Sequence, residues 1–567
     1  MPLLDWVNRN QAEETATSVP YHLLKFEQAY GDEEQAKENL IIQGDNLQAL
    51  KALLPLYGGQ VKCIFIDPPY NTEQAFEHYD DNLEHAQWLS MMYPRIVLLR
   101  ELLENKGIFC VILSDHQVHY MKVLCDEIFG RSNFINEVSL KMKQTAGASG
   151  GGEDKRLKKN IEYLLIYSKD KNFFSKFNEI LEEENLFDFI EEMKESGKSW
   201  KYTRVLESTG EKSFYKTIYD GKGDEIKVFQ HVNPIFTPIS VIAAREGISE
   251  QQVYIKYFEK VFRDTNAQSS IRTRVMESLE VEQDLVSIEY VPKSGRSKGN
   301  MTTVYYKGRN CDQIAWLSDI AYKKGNRLVK LSKLGTYWDG FPLNNLTKEG
   351  GVRFPNGKKP EALIQRVLEL CTQQNDLVLD SFLGSGTTTA VAHKMGRRYI
   401  GIEMGPQANT HVIPRLRNVI GGEEGGISKS VNWKGGGGFS FFSLGSPVFD
   451  DQGFLNADVK FKDLASYVWW LETKTALNQT ESFDNPYLGT HDGVAYYLLY
   501  NGILGDRRPN GGNVLTLSIL NYLNECHAHE GKRVVIGEAS RLGDARLEAL
   551  DIEFKQIPYS LYGNQAQ

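Results

Sequence analysis

Several absences narrow the chain first. Its six cysteines in 567 residues (Cys63, Cys110, Cys125, Cys311, Cys371, Cys526) form no C-x-x-C pair. A disulfide framework and a zinc ribbon are therefore not expected, and the cysteines read as reduced core residues. Cys526, His527 and His529 crowd one short segment that reads as an exposed helix end, so no metal site is expected. There is no charge-free apolar run of about 18 residues, and the opening MPLLDWVNRNQAEETATS lacks the basic start and apolar core of a signal peptide. A cytoplasmic protein with no membrane partner is the expectation. The lysine of a GxxxxGK[ST] phosphate loop is also missing, and no internal repeat is found.

Charge is short on the basic side, with 65 Lys and Arg against 74 Asp and Glu. It is unevenly spread. From Lys194 to Asp339 there are 24 Lys and Arg against 18 Asp and Glu, a surplus of six, leaving −15 of the total −9 for the rest. A locally basic segment in an acidic protein is a footprint for a polyanion.

The order of elements has two alternating blocks. NLIIQGDNLQALKALL reads as strand, turn and amphipathic helix; VKCIFID as a strand; EHAQWLSMMYPRIVLLRELLENKG as a helix stopped by Gly107; and GIFCVILSD as a strand. Much later EALIQRVLELCTQ, DLVLDSFLGSGTTTAVAHKMG and RRYIGIEM repeat the alternation. This is the signature of an α/β, doubly wound, mostly parallel sheet. The roughly 170 intervening residues have no βα rhythm and are too long for a loop, so an inserted domain is expected. A glycine-dense stretch, GGEEGGISKSVNWKGGGGFSFFSLG, reads as a hinge to a final block.

Two motifs carry chemistry. In FIDPPYNTE an apolar strand meets Asp67, Pro68, Pro69 and Tyr70. Prolines lack the N–H and disfavour helix before them, so the strand must stop and turn rigidly, fixing a carboxylate and a ring at a sheet's carboxyl edge. In DSFLGSGTT, Asp380 precedes a glycine loop (Phe382, Gly384, Ser385, Gly386, Thr387) that opens a helix, with Glu403 23 residues beyond Asp380. That is near the spacing at which an acid meets ribose hydroxyls. An adenosine-containing cofactor without phosphates fits, and S-adenosylmethionine is the expectation. Asp67 and the Pro68 carbonyl are suited to accept both hydrogens of an exocyclic amine, with Tyr70 stacking on a base that has left its duplex.

Asp67-Pro68-Pro69-Tyr70, followed far downstream by DSFLGSGTT, resembles the amino-group DNA methyltransferases in their permuted order, with a target recognition domain between the halves. Lys359 and Pro360 match the Lys-Pro that such enzymes carry before the cofactor loop. The resemblance implies a Rossmann-like S-adenosylmethionine-dependent methyltransferase fold. It implies that Phe382 and Gly384 line the cofactor pocket, that Glu403 holds the ribose, and that Asp45 lies near the adenine. Asp at the motif's head favours adenine N6 over cytosine N4, and no Pro-Cys pair exists for a covalent route to 5-methylcytosine. YDDNLEHAQWL, CDEIFGRSNF and GISKSVNWKGGGGF look like the modification subunits of type III restriction systems. That likeness implies a homodimer acting on double-stranded DNA, with a separate ATP-dependent restriction subunit. The alternatives are cytosine N4 or RNA adenine methylation, or a specificity module that recruits a restriction enzyme.

The expected organisation is an N-terminal extension (1–38), a catalytic half (39–170), an inserted α+β target recognition domain (171–339), a cofactor half (340–422) and a C-terminal α/β domain (423–567). Within the insert, Trp200, Lys201, Arg204, Asn266, Gln268, Arg272, Arg274, Lys293, Arg296 and Lys298 have the chemistry to meet phosphates or purine edges. Trp469 and Trp470, in the last block, read as core.

Overall fold

The computed structural model describes residues 3–70, 84–142, 157, 159–266, 269–280, 283–293, 298–343, 346–354, 357–456, 458–477, 483, 485–500 and 513–557. The chain parts into two compact units, one of residues 1–178 and 335–567, the other of 179–334.

The first unit is built on a ten-stranded sheet. Its strands are β1 (His22–Gly31), β2 (Leu40–Gln43), β3 (Val61–Ile66), β4 (Leu103–Leu113), β5 (Phe134–Lys141), β6 (Ile161–Ser168), β7 (Tyr337–Trp338), β8 (Leu377–Asp380), β9 (Arg398–Glu403) and β10 (Gly438–Pro447). In space they run β1-β10-β2-β9-β8-β3-β4-β6-β5-β7. The run from β10 to β4 is parallel, while β1 and β6 are antiparallel to their neighbours. Helices α1 (Asn46–Tyr57), α2 (His85–Leu102), α3 (Glu361–Cys371), α4 (Thr387–Lys394) and α5 (Ile413–Ile420) connect or flank the strands. Strands covered on both faces read as continuous apolar runs, which is why VKCIFI and IFCVIL are legible. Cys63, Ile64, Phe65, Ile66 and Phe109 to Leu113 are essentially inaccessible, and each large apolar side chain so buried contributes about 2 kcal/mol. The fold is thus the doubly wound α/β sheet expected.

The ends of the sheet differ from the sequence reading. β1 comes from the expected N-terminal extension and β10 from the expected hinge, yet they pair along their length from His22↔Pro447 to Gly31↔Gly438, and β10 pairs in parallel with β2 on its other side. Gly31 makes the corner possible. It stands at φ +79°, and a Cβ there would lie 2.3 Å from the Gly437 carbonyl oxygen.

Beyond β10, strands Tyr487–His491, Val494–Leu498, Arg533–Gly537 and Ile552–Gln556 form a mixed sheet in that order. Trp469 and Trp470, on helix Phe461–Thr473, are buried in the main core as expected. All six cysteines are free and five are buried. Cys63, Cys110 and Cys371 bring their sulfurs within 4.8 Å of one another.

The second unit is α+β. Eight antiparallel strands, in the order 235–238, 204–208, 261–265, 312–316, 302–307, 285–290, 225–232 and 211–219, form its main sheet, with a three-stranded sheet beside it. Its apolar clusters are its own, centred on Val205, Val228 and Phe262.

Candidate active site

From β8 the chain order proceeds to β9 on one side, and from β3 to β4 on the other. The crevice between β8 and β3 is therefore the topological switch point, where ligands of doubly wound sheets bind. Four adjacent parallel strands, β2, β9, β8 and β3, end at this edge near an acid: Asp45, Glu403, Asp380 and Asp67. Three strand spacings of about 4.8 Å place the outer two about 14 Å apart, the reach of a nucleoside with a side arm.

Asp67 leaves β3 directly after Ile66, and Pro68, the next residue, is buried. The Pro69 carbonyl accepts the Trp88 indole N–H of α2 at 2.8 Å, which locks the turn. Tyr70 packs partly buried against the main core. Lys359, expected to serve the cofactor, instead reaches the catalytic half: its Nζ lies 2.8 Å from Asp67 Oδ2 and 4.9 Å from the Tyr70 ring centroid. A further acid, which no sequence motif marked, completes the cluster. Glu162 Oε2 accepts the Tyr70 hydroxyl at 2.9 Å and lies 3.5 Å from Lys359 Nζ.

Burial pushes the Asp67 carboxyl above the usual carboxylate range, with Lys359 pulling it back. Burial alone would lower the Lys359 ammonium, but Asp67 and Glu162 more than offset it and hold it above the ordinary lysine value. Burial, reinforced by Asp67 and Glu162, raises the Tyr70 phenol well above its normal range, so it remains a neutral donor.

On the other side of the crevice, Gly386 at φ 80° precedes α4 and turns the loop into the helix. Asp380 accepts from the Phe382 N–H at 2.9 Å and the Thr388 hydroxyl at 2.6 Å, and burial pushes its carboxyl up to about 7. Glu403 accepts the Gly384 N–H at 2.7 Å through one oxygen and the Gly405 N–H at 3.0 Å through the other. Phe382 stays partly exposed at the loop's surface. Ser385 and Thr387 face inward: the buried Arg415 donates to Thr387 Oγ1 at 2.8 Å and lies 3.3 Å from Ser385 Oγ. Their side chains are structural, which leaves only their backbone for a ligand. Pro360 is the N-cap of α3. Asp45 caps α1 through the N–H groups of Leu47 and Gln48 and pairs with Arg95 at 3.2 Å. Asn46 beside it donates to the Ser381 carbonyl at 2.8 Å, tying the first block to the second.

In the second unit the expected polyanion contacts sort by exposure. Lys201, Arg204, Asn266, Arg274 and Lys298 are exposed, with Arg274 reaching the Tyr219 carbonyl at 3.3 Å. Lys293 is exposed but pairs with Asp224. Trp200 is half-buried between Phe189 and Tyr202 and belongs to the core edge. Arg272 is a correction: it is buried and donates to the Cys311 and Asn310 carbonyls at 2.9 and 2.6 Å, stapling a turn. A guanidinium within a polar run reads as exposed in sequence, and only the packing of helix Ser270–Ser278 turns it inward. Gln268 and Arg296 lie outside the described residues.

A family model described as DNA methylase, of the N6/N4 type, matches residues 61–412. The chain is 43% identical over 409 residues to the probable type III restriction-modification enzyme HindVI Mod subunit of Haemophilus influenzae, a match covering 72% of this chain and 54% of that one. It is 26% identical over 435 residues to the type III restriction-modification enzyme EcoPI Mod subunit of Escherichia phage P1, covering 69% and 60%. The chain thus spans between half and two thirds of the length of these two relatives. Among solved structures, the cytosine-N4-specific PvuII DNA methyltransferase is 12% identical, with a TM-score of 0.31 over 70% of this chain and 90% of that one.

Proposed function

Because the chain belongs to the N6/N4-type DNA methylase family, we propose that it is a site-specific DNA adenine N6-methyltransferase and the modification subunit of a type III restriction-modification system. The observation that carries the reading is Asp67-Pro68-Pro69-Tyr70 at the carboxyl edge of β3, beside the Asp380 glycine loop at the switch point. The Mod-subunit relatives support the finer assignment.

The donor set fits S-adenosylmethionine. Glu403 ends β9 with a glycine N–H on each oxygen, which fixes its carboxylate at the sheet edge from which an acid of this fold would meet ribose hydroxyls. Phe382 offers a ring face, and the loop carries no lysine for phosphates. When bound, the cofactor supplies a methyl group activated on a cationic sulfur.

The chain's own residues do the rest. Asp67, with Oδ2 on Lys359, presents Oδ1 to one amino hydrogen of an extruded adenine. The Pro68 carbonyl takes the other, which favours a pyramidal nitrogen whose lone pair points at the methyl. Tyr70, anchored by its hydroxyl, stacks on the base. Exposed Lys201, Arg204, Asn266, Arg274 and Lys298 of the second unit would meet DNA. Homodimerisation, a cytoplasmic location and an ATP-dependent restriction partner complete the proposal. Among the described residues no helix is long and apolar enough to cross a membrane.

Single-molecule sequencing of DNA from cells expressing the wild-type chain or Asp67→Ala tests it. N6-methyladenine at one recurrent site with wild type only is the expected result. Methylated cytosine in its place would overturn the base assignment and keep the enzyme class. Identical methylomes from equally abundant proteins would overturn the catalytic reading.

A further inference from the structure

The acid that the motifs missed carries the inference. β6 runs antiparallel to β4, with Leu113 opposite Tyr163, so its N-terminal end lies at the edge where β3 and β4 finish. Glu162 stands there, its side chain only 17% exposed, and its Oε2 holds both the Tyr70 hydroxyl and one side of the Lys359 ammonium. A tyrosine needs one acceptor to be anchored, and a neutral one would serve. The full charge needs a separate reason.

Asp67 and Lys359 are already a 2.8 Å pair of net charge zero. Glu162 makes the trio −1, at a cost in desolvation that Lys359 only partly offsets because it is shared. An added negative charge in this cluster favours a cationic ligand over a neutral one of nearly the same shape.

Resting on the methyltransferase reading, we propose that Glu162 is a positioning residue with two roles. Its oxygen fixes the Tyr70 ring, and its charge sets the Asp67–Lys359–Glu162 cluster at −1, selecting the cationic methyl donor over the neutral thioether product.

The test uses the full chain and two ligands that differ by a methyl group and one charge, S-adenosylmethionine and S-adenosylhomocysteine. Glu162→Gln keeps an acceptor for Tyr70 and removes the charge. Calorimetric titration is expected to show S-adenosylmethionine binding weakened about 10-fold, as one lost charge contact in a partly screened site would give. S-adenosylhomocysteine affinity should change less than about 3-fold. Methyl transfer to DNA carrying the recognised site should lose kcat about 10-fold with KM for DNA unchanged. Glu162→Ala also frees the Tyr70 hydroxyl and should raise KM for DNA as well. Equal weakening of both ligands by Glu162→Gln, or of neither, would overturn the proposal and reduce Glu162 to packing. A folded wild type that binds neither ligand and transfers no methyl group would instead defeat the methyltransferase reading itself, and the proposal with it.

Discussion

Asp380 is only 3% exposed, yet its two oxygens accept one N–H and one hydroxyl. Burial outweighs those bonds and lifts its carboxyl from 3.8 to about 7. The folded chain therefore keeps a proton that the unfolded chain loses near pH 4. The stability this group contributes is full below about pH 4 and is lost as pH rises toward 7. Asp380→Asn preserves a carbonyl acceptor for Phe382 and an amide partner for Thr388, and it has no proton to lose. Its Tm relative to wild type should climb between pH 5 and pH 7 and level off above; a difference flat across that range would mean the carboxylate is ionised throughout. The legibility of the site divides at this scale. Asp67 was readable because two prolines leave a strand no other course. Glu162 was not, since a single acid in NIEYLLIYS looks like the solvent face of a strand and its partners lie 92 and 197 positions away. Lys359 was found by its motif, but its pairing with Asp67 follows from folding alone.

At the scale of elements, a buried ion cluster ties three helices to the glycine loop. Glu361 opens α3, Lys394 ends α4, and Arg415 lies on α5; all three side chains are inaccessible. Glu361 accepts from Arg415 at 2.7 Å and Lys394 at 2.8 Å, and the acid at a helix start and the lysine at a helix end both suit the helix dipoles. Arg415→Met leaves Glu361 with one cation and Thr387 without its donor. It should cost about 3–5 kcal/mol in urea denaturation. Adding Glu361→Gln should recover part of that loss, because the stranded charge is gone; a purely additive double variant would show that the three ions do not act as a unit. The pairing of β1 with β10 was opaque in sequence for a related reason. FSFFSLG alternates like a strand, but it follows a run of glycines that reads as a hinge, and its partner lies about 400 positions upstream. The parallel strands of the interior announced themselves, since burial on both faces leaves an unbroken apolar run. The sheet's outer strands, half covered, carry a weaker signal.

At the scale of the whole molecule, the compact unit of residues 179–334 falls on the stretch whose sequence breaks the βα rhythm and carries a basic surplus, while no residue pattern there names a DNA sequence. Among the described residues, each unit holds apolar clusters built from its own side chains. Cohesion of this kind predicts that the units are separable. Replacing residues 179–334 with a short flexible Gly/Ser linker should leave a chain that melts cooperatively, because every strand from β1 to β10 and every residue of the Asp67–Lys359–Glu162 cluster is retained. S-adenosylmethionine affinity should stay within about 3-fold of wild type, as none of the charges argued to set it has moved. Site-selective methylation should vanish, and DNA affinity should weaken with a shallower dependence on salt, since the exposed Lys201, Arg204, Arg274 and Lys298 leave with the insert. If the shortened chain still marks the same recurrent site, recognition lies in the first unit and the basic surplus of the insert serves another end. If it loses cofactor affinity while remaining folded, the insert supports the methyl-transfer site and not only the choice of sequence.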